Sequence, residues 1–429
     1  RGADAITEGE IAIALDKSDR EAHRIVGLVQ GALAENLSEG PRQSDLMAEA
    51  IGHLELALAG ARDPGAELTL GRLDVRTNRL AKGIETLSTF LLDNPGYPEG
   101  VMLLAEAYER SNKVAEAIET LSPLATGGQA QPDAQAALAG LYERAERWKD
   151  AAAMWGAVAA KVPDPSYRMQ QATALMNAGN IAGGRDVLVA LSTDRPRDPS
   201  VWYLLAQAEH RMGNPTGAAD AAKRIAEIDP ADPRGALAMA EAREAAHDVV
   251  GVIAALQPLY ESRRAPVRPN DEVFTFVAMT LANAHEEMKQ FDRAEQILRD
   301  LITRNPTDDV ALNALGYMLA DRGQKLDEAV AFIKRALVAD PVSPSYLDSL
   351  GWAYVKQGKF ADAVAPLELS AKAALSSSAV QDHLGDAYFA VKRYRDAADA
   401  FTRALTGDRE GIDVAVVTKK RDRARELAK

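Results

Sequence analysis

Six histidines are the side chains of this chain best suited to proton transfer or metal ligation, and their spacing argues against both. His23, His53, His210, His247, His285 and His383 lie far apart in the 429 residues and are expected in different structural units. An acid–base or metal centre needs groups that converge within a few ångströms. His285-Glu286-Glu287 begins like a zinc-protease helix, but Lys289 stands where the second histidine belongs. The chain has no cysteine, which excludes thiolate ligands, thiol nucleophiles and disulfides. No G-x-S-x-G, phosphate-binding loop, dinucleotide fingerprint or EF-hand loop is present. The 63 acidic residues read as solvated helix faces. The chain is therefore expected to be non-catalytic, with no cofactor, metal or small-molecule substrate.

The net charge of −13 is the reverse of the basic surplus that nucleic-acid binding uses. No apolar run approaches the ~18–20 residues that span a bilayer. Aromatics are only 5% and alanine, leucine and glutamate dominate, which favours helix.

The elements that carry these side chains are marked by proline. Pro64, Pro98, Pro132, Pro165, Pro199 and Pro233 recur at 33–34 residues, and Pro95, Pro163, Pro196, Pro230, Pro306 and Pro341 form a second series. A proline of the first series suits the first position of a helix, after a capping aspartate such as Asp63, Asp164, Asp198 or Asp232. A proline of the second stops a helix. Each unit thus reads as helix A, a short turn, helix B and a stop.

Within the units, small residues recur at positions 8 and 20 and large ones around them. The unit from Pro344 has Leu347, Leu350, Gly351, Tyr354, Ala363 and Leu367; the next has Leu384, Gly385, Tyr388, Ala397, Phe401 and Ala404. This pattern resembles the tetratricopeptide repeat. The resemblance implies an all-α fold: a right-handed superhelical solenoid of about eleven helix pairs, followed by a C-terminal capping helix. In this reading residues 1–16 form the second helix of a repeat whose first helix lies upstream. Residues 20–260 hold divergent units with an inserted loop at 36–45, and 261–273 form a basic, proline-containing loop. Residues 275–411 hold better-matched units and 412–429 the cap, whose basic charge suits a helix C-terminus. Pro123, Pro258 and Pro366 fall inside B helices and should kink or shorten them.

In tetratricopeptide proteins the A helices line a concave face, and positions 2, 5, 9, 12 and 13 point into it. Carried over, this gives charges in early units (Arg72, Arg76, Glu106, Glu109, Arg110, Asp133, Glu143, Arg144). Aromatics and acids follow in later ones: Phe276, Met279, Asn313, Tyr317, Asp348, Trp352, Asp382, Asp386 and Phe389. Successive aromatics could form a stacked track for a partner segment, with Trp352 the leading contact, and the aspartates favour a basic partner. Met279 stands where a carboxylate-clamping repeat needs lysine, which disfavours binding of a chaperone tail. The implied partners are other proteins.

The last three units carry Leu312-Asn313-Ala314-Leu315-Gly316-Tyr317, Leu347-Asp348-Ser349-Leu350-Gly351-Trp352 and Asp382-His383-Leu384-Gly385-Asp386-Ala387-Tyr388. These runs resemble bacterial envelope tetratricopeptide lipoproteins, among them the adaptor of a carboxyl-terminal processing protease. The resemblance implies a scaffold or adaptor in the periplasm that presents substrates to such a protease, held at the outer membrane by a lipid anchor upstream of residue 1. The other readings are an assembly factor for an envelope export or polysaccharide machine, the non-catalytic part of a larger enzyme, and a cytoplasmic location.

Overall fold

The structure is a computed structural model and describes residues 2–264 and 271–429. Those residues contain helices and no strand, and they divide into two compact units, residues 1–228 and 229–429.

In the first unit, α1 (Gly2–Leu15) precedes six helix pairs. These are α2 (Arg20–Glu35) with α3 (Pro41–Leu58), α4 (Pro64–Arg76) with α5 (Leu80–Asp93), and α6 (Pro98–Arg110) with α7 (Val114–Ala125). Then come α8 (Pro132–Arg144) with α9 (Trp148–Ala159), α10 (Pro165–Asn177) with α11 (Ile181–Asp194), and α12 (Pro199–Arg211) with α13 (Pro215–Ile228). The second unit has α14 (Pro233–Ala245) with α15 (Val249–Arg264), α16 (Glu272–Glu287) with α17 (Phe291–Arg304), and α18 (Asp309–Asp321) with α19 (Leu326–Ala339). It continues with α20 (Pro344–Lys356) and α21 (Phe360–Ala373), α22 (Ser378–Ala390) and α23 (Tyr394–Thr406), and ends in α24 (Val414–Leu427).

The first proline series sits at the start of A helices. Asp63, Asp164, Asp198 and Asp232 accept backbone N–H bonds at 2.7–2.9 Å from Ala66, Ser166, Ser200 and Arg234. Two loop boundaries move. Pro41 opens α3, so residues 41–45 of the expected insertion are helical. Arg263 and Arg264 belong to the last turn of α15, paired with Asp271 and Asp300 at 2.8 Å, and α16 already starts at Glu272. Pro266, Arg268 and Pro269 lie outside the described residues. Pro123, Pro258 and Pro366 are inside α7, α15 and α21, and those helices continue past them.

Small residues at position 8 let the paired helices close. A Cβ added at Gly351 would lie 2.3 Å from Leu367 Cγ, and Leu367 has no solvent exposure. Gly351→Ala should therefore destabilise the second unit by about 1–3 kcal/mol through overpacking, despite the better helix propensity of alanine. Chemical denaturation checks this, and a variant as stable as the parent would contradict it.

Successive A helices touch one another, α18 with α20 and α20 with α22, and in the first unit α2 with α4 and α4 with α6. These contacts link α2, α4 and α6 in the first unit and α18, α20 and α22 in the second.

Candidate functional site

The A helices of the second unit set one repeating register. Position 5 holds Met279, Asn313, Asp348 and Asp382; position 9 holds Asn283, Tyr317, Trp352, Asp386 and, on α24, Lys420. Because α20 touches both α18 and α22, side chains at these positions bridge neighbours.

Trp352 is the hub. Its Nε1 donates to Asp321 Oδ1 at 3.0 Å, its ring stacks on His383 at 4.1 Å between centroids and 14° between planes, and Lys356 Nζ lies 4.7 Å from its ring centre. His383 Nδ1 donates to Asp348 Oδ1 and Oδ2 at 3.0 and 3.1 Å, both residues being buried. Tyr317 lies in the same cluster. Burial, with Asp321, Asp348 and Glu286 nearby, pushes its phenol up to about 12. Burial also pushes the Glu286 carboxyl up, reinforced by Asp321 and opposed by Arg322.

At the end of the row Lys420 Nζ donates to Asp382 at 3.0 Å and to Asp386 at 2.7 Å. Burial raises the Asp386 carboxyl above its ordinary value, and Lys420 pulls against that rise. Burial lowers Lys420, but the two aspartates more than reverse it, so its ammonium is held above the usual lysine value.

The nine sequence-selected residues thus share a register but not one open surface. Phe276 is 53% exposed. Met279 packs on the core between α15 and α19, and Asn313 Oδ1 is sealed without a hydrogen-bond partner. On this row Trp352 stacks on His383. Phe389 turns edge-on to Tyr394 of α23 at 5.3 Å. The Asp382–Asp386 pair is already matched by a lysine of the same chain, so the basic charge of α24 serves as their counter-ion. Several early-unit charges are in ion pairs: Arg72 with Glu35 and Glu99, Arg110 with Glu106, and Arg144 with Glu109.

His383, Asp321 and Lys420 were not legible as site residues. The usable signal for His383 was its place beside Asp382, one repeat step beyond Asp348. The histidines are also less scattered than their spacing suggests: His23 and His53 share a 2.7 Å Nδ1–Nδ1 contact across α2 and α3. No group of three metal-ligating side chains converges among the described residues.

Nearer the start of the row, a cleft of about 330 Å³ opens among Glu244, His247, Asp248, Thr280, Asn283 and Glu287. Neither lysine nor arginine lines it, so it offers no clamp for a carboxylate.

The pattern of the tetratricopeptide repeat matches residues 68–134, 169–233, 279–344 and 349–412, more than half of the chain, and the chain belongs to that family. It is similar to TPR repeat-containing protein PA4667 of Pseudomonas aeruginosa, 41% identical over 95 residues. That match covers 22% of this chain and 16% of the relative. Among solved structures it is similar to the Cut9 and Hcn1 hetero-tetramer of APC/C (12% identity, TM-score 0.42, 98% of this chain and 92% of that one). It is also similar to Naa15/Naa10 bound to HypK-THB (13% identity, TM-score 0.40, 93% and 64%).

Proposed function

We propose that this chain is a non-catalytic scaffold whose second unit holds a segment of another protein along its row of A helices. One observation carries the reading: Phe276 stands exposed at position 2 of α16, beside half-buried Met279, on the helix that also lines the acidic Glu244–Asp248–Glu287 cleft. An exposed aromatic of this size is a ready anchor, and the carboxylates select basic side chains around it. Trp352 instead ties α18, α20 and α22 together, so it supports the row more than it offers a contact.

The pathway is an adaptor of the bacterial envelope that presents substrates to a carboxyl-terminal processing protease. Its support is the resemblance of the last three units to envelope tetratricopeptide lipoproteins. A photo-crosslinking residue placed at Phe276 should trap that protease or a protein substrate in cells. Phe276→Ser should reduce binding of the trapped protein at least tenfold, with helicity unchanged. Equal binding by the variant removes Phe276 from the interface, and crosslinks confined to export components refute the adaptor role.

A further inference from the structure

Position 11 of the repeat carries a tyrosine in α6, α8, α20 and α22: Tyr108, Tyr142, Tyr354 and Tyr388. The ring fills the space between its own helix A and the preceding helix B. Tyr388 shows the geometry: its hydroxyl donates to Glu368 of α21 at 2.7 Å, and the Arg393 guanidinium lies 4.1 Å from its ring centre.

In α4 this position is Asp74, and the ring is missing. A cleft of about 430 Å³ occupies the corresponding place, between the preceding B helix α3, α4 and α5. Leu58, Ala59, Leu70 and Thr86 are among its lining residues, and Asp74 lines it as well. Asp74 is 1% exposed, and neither carboxylate oxygen has a hydrogen-bond partner. Arg79 Nε forms an ion pair with Oδ1 at 3.1 Å without hydrogen-bond geometry, and Oδ2 accepts no hydrogen bond. A buried acceptor left this way costs on the order of 1–3 kcal/mol or more. A second cleft, of about 500 Å³, is lined by His285, which takes position 11 in α16. Clefts thus stand at position 11 in α4 and α16, whereas in α10, α12, α14 and α18 the position is taken by Leu175, Glu209, Arg243 and Leu319.

We propose that the Asp74 cleft is a socket for a tyrosine side chain of a partner protein, whose ring takes the place of the missing one and whose hydroxyl donates to Asp74. A neutral donor fits better than a cation, because Arg62 and Lys82 already line the cleft, paired with Glu67 and Glu55, and Arg79 is already paired with Asp74 and Glu55. This chain repeatedly joins a phenol to a carboxylate: Tyr260 to Asp300 at 2.6 Å, Tyr346 to Asp309 at 2.9 Å and Tyr388 to Glu368 at 2.7 Å. The socket is distinct from the A-helix row of the second unit and does not depend on it.

The test titrates the full chain with p-cresol, toluene and N-acetyltyrosine amide, read by amide hydrogen exchange in α3–α5. Saturable protection is expected with p-cresol and with the amide, at concentrations at least tenfold below those for toluene. Asp74→Tyr should supply the ring internally, raise Tm and abolish that protection. Asp74→Leu, which keeps an apolar wall but no acceptor, should erase the preference for p-cresol over toluene. No saturable protection, or protection unchanged in both variants, overturns the socket. Protection by p-cresol but not by the amide overturns the assignment to a protein side chain.

Discussion

Phe401→Ala should cost about 3–5 kcal/mol and release α22–α24 before the rest of the second unit unfolds. Phe401 has no solvent exposure and centres the core made by α21–α24. It fits only because position 8 of α22 is Gly385: a Cβ there would stand 2.4 Å from the Phe401 ring. Lys420 lies 5.6 Å from the centre of the same ring while it holds Asp382 and Asp386. Removing the ring therefore leaves a cavity and withdraws part of the support under the salt bridges of α24. In a repeat array each unit is stabilised mainly by its neighbours, so the loss should stay local at first. Hydrogen exchange resolved by peptide should show lowered protection in α22–α24 and near-parental protection in α16–α19. Uniform loss across the second unit would contradict local coupling, and parental stability would contradict the packing.

Asp74→Asn should make the protein more stable above pH 6 and change little below pH 4. Burial pushes the Asp74 carboxyl from 3.8 up to about 6; Arg79 opposes the rise, Glu55 adds to it and Lys82 opposes it. The folded state therefore binds this proton more tightly than the unfolded chain does. Stability from this site is fully present below the unfolded pKa and is lost as pH rises to about 6, beyond which the buried charge costs its full amount. A shift of about two pKa units corresponds to roughly 3 kcal/mol, an upper bound on the gain from the amide at pH 7. Denaturation midpoints of parent and variant across pH 4–8 should converge at the acid end. Parallel curves would mean that Asp74 titrates normally.

The two residues differ in how visible they were. Gly385 and Phe401 stand at repeat positions 8 and 24, where the need for a small residue facing a large one shows in spacing alone. Asp74 departs from the tyrosine of its register position, but only the structure shows that no other side chain moved in. The three interior prolines were expected to kink or shorten their helices; α7 ends two residues after Pro123, and α15 and α21 extend further past theirs.

By itself, the sequence determined what depends on backbone chemistry within a few residues: where prolines start helices, where aspartates cap them, where the chain turns, and which positions stay small. It also determined which residues share the register of the A helices. Only the tertiary structure decided what those residues meet. The His383–Trp352 stack, the bond from His383 to Asp348 and the capture of Asp382 and Asp386 by Lys420 each join side chains about 31–38 positions apart. Such pairings follow from the offset between neighbouring helices, a quantity set by packing and absent from any local pattern. The Asp74 cleft has the same origin, since an empty place exists only once every neighbour has been put in position.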